Sequence, residues 1–121
     1  MARRADPLAG VNLLDLRPVR TADWSEDGEG RVVVARSSPR ERGLSGLRAR
    51  FDQWLATPRV RLDETGSFAW KKLDGERSVR DVVAAVRERF GAEAEPVEER
   101  LGSFIRLLRR ERLVRYPGLD D

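Results

Sequence analysis

The sequence predicts an α+β domain of winged helix-turn-helix type, a three-stranded antiparallel sheet packed with three helices and carrying one inserted amphipathic helix. Three observations predict it. Val19 to Trp24 and the β-branched run Arg31 to Arg36 flank Asp27-Gly28 and Gly30, residues that tolerate the positive φ of a hairpin turn. Arg59 to Leu62 alternates charged and apolar side chains, as a third strand should. From Asp63 onward, three apolar stripes at helical spacing are each bracketed by a start and a stop signal.

Each element has its own grounds. Residues 1–16 form an N-terminal arm in which Leu13, Leu14 and Leu16 either cover an edge of the core or hang free. Residues 17–116 make the domain and 117–121 a tail. Within the domain, 37–58 reads as an insertion. Ser38-Pro39-Arg40-Glu41 has a capping-box pattern, and Leu44, Leu47, Phe51, Trp54 and Leu55 fall on one helical face, so Gly46 to Ala56 is expected as a helix stopped by Pro58. That face closes one end of the core or docks a partner.

In the third strand, Val60 and Leu62 are expected to face inward and Arg59 and Arg61 outward. Asp63 then caps a helix with Phe68, Ala69 and Leu73 inside and Trp70 at the boundary, and Gly66 marks a close packing contact. Asp74-Gly75 ends it. Ser78 and Asp81 form a capping box for a second helix, whose stripe is Val79, Val82, Val83, Val86 and Phe90, with Gly91 as its stop. A third helix starts at Pro96, with Glu98 and Glu99 in its first turn and arginines in its last, a charge order that suits the helix dipole. Its core stripe is Val97, Leu101, Phe104, Ile105 and Leu108. Leu113 to Tyr116 returns as an extended segment.

Composition narrows the function. The 121 residues suffice for one domain with one modest core. The pI of about 10.1 looks basic, yet the net charge is only +3 because acidic residues interleave with the arginines. There is no cysteine and no histidine, which removes thiolate ligands, disulfides and the commonest general base. Ser67 and Ser103 have no base in view, and the Glu98-Glu99 and Asp120-Asp121 pairs read as helix-start charge and a solvated end. No enzyme activity, metal or cofactor is expected. No apolar run approaches the roughly 20 residues of a membrane span, and the start is a poor secretory signal, so the cytoplasm is the expected location.

Three binding readings remain. A hairpin with three short helices suits a winged-helix DNA-binding protein, although Glu98 and Glu99 sit where a recognition helix would meet phosphate. A small structural subunit of a larger enzyme complex would use the Leu47, Phe51 and Trp54 face. The third reading is peptide capture by strand addition on the edge Arg59 to Leu62. At 100° per residue, Leu107 falls off the core stripe of the third helix, near Arg100 and Glu111 and with Phe104 on the shared boundary. It either lines a groove opposite the strand or meets the N-terminal leucines.

The stretches VRLDETGSFAW, KKLDGERSVRDVVAAVRERFG and EPVEERLGSFIRLLRRERLV resemble the PqqD family of peptide chaperones, the prototype of the RiPP precursor-peptide recognition element. The matching features are Arg61-Leu62-Asp63-Glu64-Thr65, the Asp74-Gly75 turn, the Ser78-Val79 helix start, and Phe104 and Leu108 on the closing helix. Asp63 stands where the usual pattern has asparagine. The resemblance implies that a leader peptide adds beside the third strand, packs on the third helix, and is presented to a modifying enzyme, often a radical S-adenosylmethionine enzyme. By position the groove would comprise Arg59, Val60, Arg61 and Leu62 with Arg100, Phe104, Leu107 and Glu111. Arg59, Arg61 and Arg100 would favour an acidic leader. The 37–58 insertion departs from the family pattern and would either cover the groove or contribute to it.

Overall fold

The structure is a computed structural model and describes residues 11–35 and 59–120. The expected helix at 46–56, the first ten residues of the arm, Arg36 and Asp121 lie outside the described residues.

The hairpin forms at the expected place with different limits. β1 is Val19–Arg20, β2 Trp24–Glu26 and β3 Val32–Ala35. The single strand expected from Val19 to Trp24 is therefore two, and the halves have different partners. Only β2 pairs with β3, antiparallel with Trp24 opposite Val34. β1 is held elsewhere. The Arg20 amide donates to the Leu73 carbonyl at 3.2 Å and the Thr21 amide to Leu113 at 2.9 Å, while the Arg20 guanidinium donates to the carbonyls of Trp70 and Lys71. Those carbonyls belong to a helix end, where the last four have no partner within the helix.

The turn between β2 and β3 is built by Asp27. Its carboxylate accepts from the amides of Glu29 and Arg31, and Gly30 takes a φ of +80°. β4, Arg59–Arg61, pairs antiparallel with β3, giving a three-stranded sheet in the order β2-β3-β4.

Three helices follow, α1 (Glu64–Lys71), α2 (Val79–Phe90) and α3 (Val97–Arg110). The Asp63 carboxylate accepts from the Gly66 amide and caps α1. Ser78 and Asp81 exchange both bonds of the capping box. The poor helix formers Val79, Val82, Val83 and Val86 are all buried, so α2 is held by its packing more than by propensity.

On α1 two expected roles are exchanged. Trp70 is fully buried, edge-on to Trp24 with centroids 6.5 Å apart. Phe68 is half-buried, and meets Phe90 at 5.5 Å. The face of α1 toward the sheet is set by Ser67, whose Oγ accepts from the Val32 amide at 2.8 Å. Trp70, three residues on, shares that face.

The final strand, β5 (Val114–Arg115), pairs with β1 in a second, two-stranded sheet that the sequence did not announce. Leu113, Val114 and Tyr116 are buried by it. Of the arm, the described part covers the core. Leu13–Asp15 is a single 3-10 turn capped by Asn12, the Leu16 carbonyl accepts from the Val79 amide at 2.8 Å, and all three leucines pack against the core. Leu13 lies over Gly102, 3.3 Å from where a β-carbon would stand. Leu107 is not covered in this way and stays 44% exposed.

Candidate functional site: an edge strand beside a helical wall

Register decides what β4 offers. The Leu62 amide donates to the Val32 carbonyl at 2.8 Å, which sets Leu62 and Val32 at a hydrogen-bonding position of the ladder, although the Val32 amide itself goes to Ser67 Oγ. Antiparallel pairs alternate, which makes Val60 and Val34 the next such pair. Arg59 and Arg61 alternate with them, opposite Ala35 and Val33. Their N–H and C=O groups point away from β3. Among the described residues no strand lies on that flank.

Side chains follow the same alternation. Val60 stands opposite Val34 and Leu62 opposite Val32, both fully buried, so Val60 and Leu62 share the helix-facing side as expected. Their burial differs: Leu62 is buried, whereas Val60, expected inside, is 37% exposed. The reason is its position in β4, where among the described residues only β3 pairs with it. Arg59 and Arg61 occupy the opposite face.

The wall is α3. Val97, Leu101, Ile105 and Leu108 are buried, Phe104 is half-buried and Leu107 projects outward. Strand and wall converge at Gly66. A β-carbon built there would lie 3.5 Å from Leu62 Cβ, 3.6 Å from Phe104 Cζ and 2.9 Å from Asp63 Oδ1. The missing side chain therefore leaves room for the Asp63 carboxylate to cap α1, while Leu62 and Phe104 stand at ordinary contact distance.

Next to this point a cleft of about 170 Å³ opens between the three helices. Ala69, Val86, Ala94 and Val97 make an apolar floor, while Asp63, Thr65, Arg100 and Phe104 stand around it. Of the residues expected from sequence, Arg100 and Phe104 line this cleft. Leu62 adjoins it through Gly66. Val60 and Leu107 are outside it, and Glu111 is the C-cap of α3, its amide bonded to the Leu107 carbonyl. Thr65, Val86 and Ala94 escaped sequence reasoning, since their meeting depends on how three helices pack. Gly66 beside a cap was the one local signal.

Electrostatics separates the arginines. Arg61 reaches back to the hairpin turn, with Nε 2.6 Å from Asp27 and Nη2 2.9 Å from Glu29. The bond to Asp27 raises its pKa further above the ordinary range. Asp27 is lowered, first by the Arg31 amide, then by the Glu29 amide and by Arg61. A basic groove of Arg59, Arg61 and Arg100 is thus not assembled. Arg61 is already neutralised, and alternation puts it on the sheet face turned away from the helices. Among the described residues no group of three or more acidic side chains is placed to hold a metal ion, and no helix is long and apolar enough to cross a membrane.

Residues 55–114 match the family model described as Coenzyme PQQ synthesis protein D (PqqD). No curated protein and no solved structure matches the chain.

Proposed function

Over residues 55–114 the chain belongs to the PqqD family, and from that premise we propose that it is a non-catalytic peptide-binding protein. In this reading it captures the leader of a ribosomally made precursor peptide as an added strand on β4 and presents it to a modifying enzyme, such as a radical S-adenosylmethionine maturase. The observation that carries the reading is the Arg61 backbone. Its amide and carbonyl point away from β3, and no ladder bond among the described residues uses them. An extended chain laid there gains main-chain bonds at low cost in rearrangement.

Strand addition also explains the exposed apolar residues. Every second side chain of the incoming peptide would turn to the helix-facing side, where Val60, Phe104 and Leu107 are exposed or half-exposed. One of them could enter the cleft beside Gly66. Arg59, Leu62, Arg100 and Glu111 complete the proposed groove.

The experiment is an affinity titration of fluorescent leader peptides encoded near this protein's gene. Binding is expected to fall about tenfold or more on Leu107→Asp, since burying a carboxylate against an apolar segment is costly. A leader bound equally well by wild type and Leu107→Asp would remove α3 from the site. No binding of any neighbouring leader would remove the peptide reading.

A further inference from the structure

The arginines of the described residues differ in their surroundings. Arg61, Arg77, Arg80, Arg87, Arg89 and Arg109 each lie within 4.0 Å of a carboxylate. Arg100, Arg106 and Arg110 have no ion pair among the described residues, nor do Arg17, Arg20, Arg31 and Arg112, but only the first three share one helix, α3. At 100° per residue they share with Leu107 the arc of α3 that the core does not cover. Arg100 and Leu107 are nearly in line, about 10 Å apart along the axis, and Arg110 is about 4.5 Å beyond. Two carboxylates, Glu99 next to Arg100 and Glu111 next to Arg110, border the same arc, so the arginines outnumber the carboxylates there by three to two. Between Arg100 and Arg110 stands the exposed Leu107.

We infer that this face selects an acidic peptide, in which an aliphatic side chain that packs on Leu107 is flanked by carboxylates for Arg100 and Arg110. This rests on the peptide-binding reading and adds the chemistry of the ligand. Acidity is read by the helix. Arg61, on the far side of the sheet and satisfied by Asp27 and Glu29, does not take part. Only side chains an even number of residues from the anchor share its face, so with Arg100 about 10 Å and Arg110 about 4.5 Å from Leu107 one carboxylate falls four residues from the aliphatic anchor and the other two residues away on its opposite side. Arginine suits the task because its fork engages a carboxylate through two parallel bonds and stays charged at any working pH.

The test uses two synthetic twelve-residue peptides of alternating threonine and valine with a central leucine. One has glutamates four residues before and two residues after the leucine, on the same face of the extended chain; its twin has glutamines there. Their affinities are measured by anisotropy for the full chain, for the Arg100→Gln/Arg110→Gln variant and for Arg61→Gln. The wild type is expected to prefer the glutamate peptide by about tenfold at low salt, with the preference shrinking as salt rises. That preference should vanish in the Arg100→Gln/Arg110→Gln variant and survive in Arg61→Gln. Equal binding of the twins, or a preference abolished by Arg61→Gln instead, overturns the inference and leaves strand addition intact. Binding of neither twin, when an encoded leader does bind, also overturns it, because charge and one leucine would then not be what the face reads. Duplex DNA held more tightly than the glutamate peptide, through the same two arginines, would overturn it in favour of a nucleic-acid surface.

Discussion

Gly66 shows how one absent side chain shapes the site. A β-carbon there would stand 2.9 Å from the Asp63 oxygen that caps α1, and against the Phe104 ring. Gly66→Ala should therefore lose about 1 kcal/mol, roughly the worth of an N-cap, despite the better helix propensity of alanine. The check is chemical denaturation of both single variants and the pair with Asp63→Ala. If displacement of the cap is the cause, the double variant will be less destabilised than the sum of the singles; full additivity would contradict that cause. The sequence showed Gly66 as a packing contact, since a glycine in a helix's first turn asks for a reason. It could not show that Trp70 and Phe68 exchange roles, because both lie on the broad apolar side of a short helix and the tie-breaker is Ser67 bonding to β3.

Among the elements, β4 carries the functional claim, and its two faces of hydrogen bonding separate two variants. Proline at Arg61 removes an N–H that points away from β3, a place where edge strands accept proline. Proline at Val60 removes one that bonds Val34. Arg61→Pro should fold with near wild-type cooperativity yet bind leader at least about tenfold more weakly, with Arg61→Gln as the control for its lost ion pairs. Val60→Pro should be destabilised by about 1 kcal/mol or more. Circular dichroism melts and leader titration read both. Equal destabilisation would mean that the register is shifted by one. For α2, Ser78→Ala should cost about 1 kcal/mol through loss of the capping box. These helices were legible because caps and stripes are local signals. β1 and β5 were not: each has two residues, too few for a period, and Val19 finds Arg115 across nearly the whole chain. Nor could the sequence say that Val60 would be exposed, since an edge position is a property of the sheet.

At the scale of the molecule, the charge network fixes the pH response. Asp27, Asp74 and Asp81 are lowered chiefly by backbone amides, Glu95 and Asp120 chiefly by Arg87 and Arg109. A carboxylate whose folded pKa is depressed stabilises the fold fully above its unfolded value and loses that contribution as pH falls through the folded one. Tyr116 is raised by burial, so its contribution holds below its unfolded value and is lost as pH climbs through the folded one. With no histidine between, the urea midpoint should be level from about pH 6 to 8 and fall below about pH 4. A sloping midpoint across the neutral range would show a shifted group that these contacts do not explain. The same chain-wide view separates what the sequence offered about the groove. Its components, an alternating strand and an off-stripe Leu107, could be read from spacing. The cleft beside Gly66 and the removal of Arg61 from the basic set come from how strand, turn and helices meet.

Amide hydrogen exchange at Arg61, measured residue by residue with and without a leader peptide, bears most directly on strand capture. The Arg61 amide is expected to exchange quickly in the free protein and to become protected when leader binds, while Val60 and Leu62, already bonded to β3, change little. A leader that binds tightly and leaves Arg61 exchanging as before would contradict it.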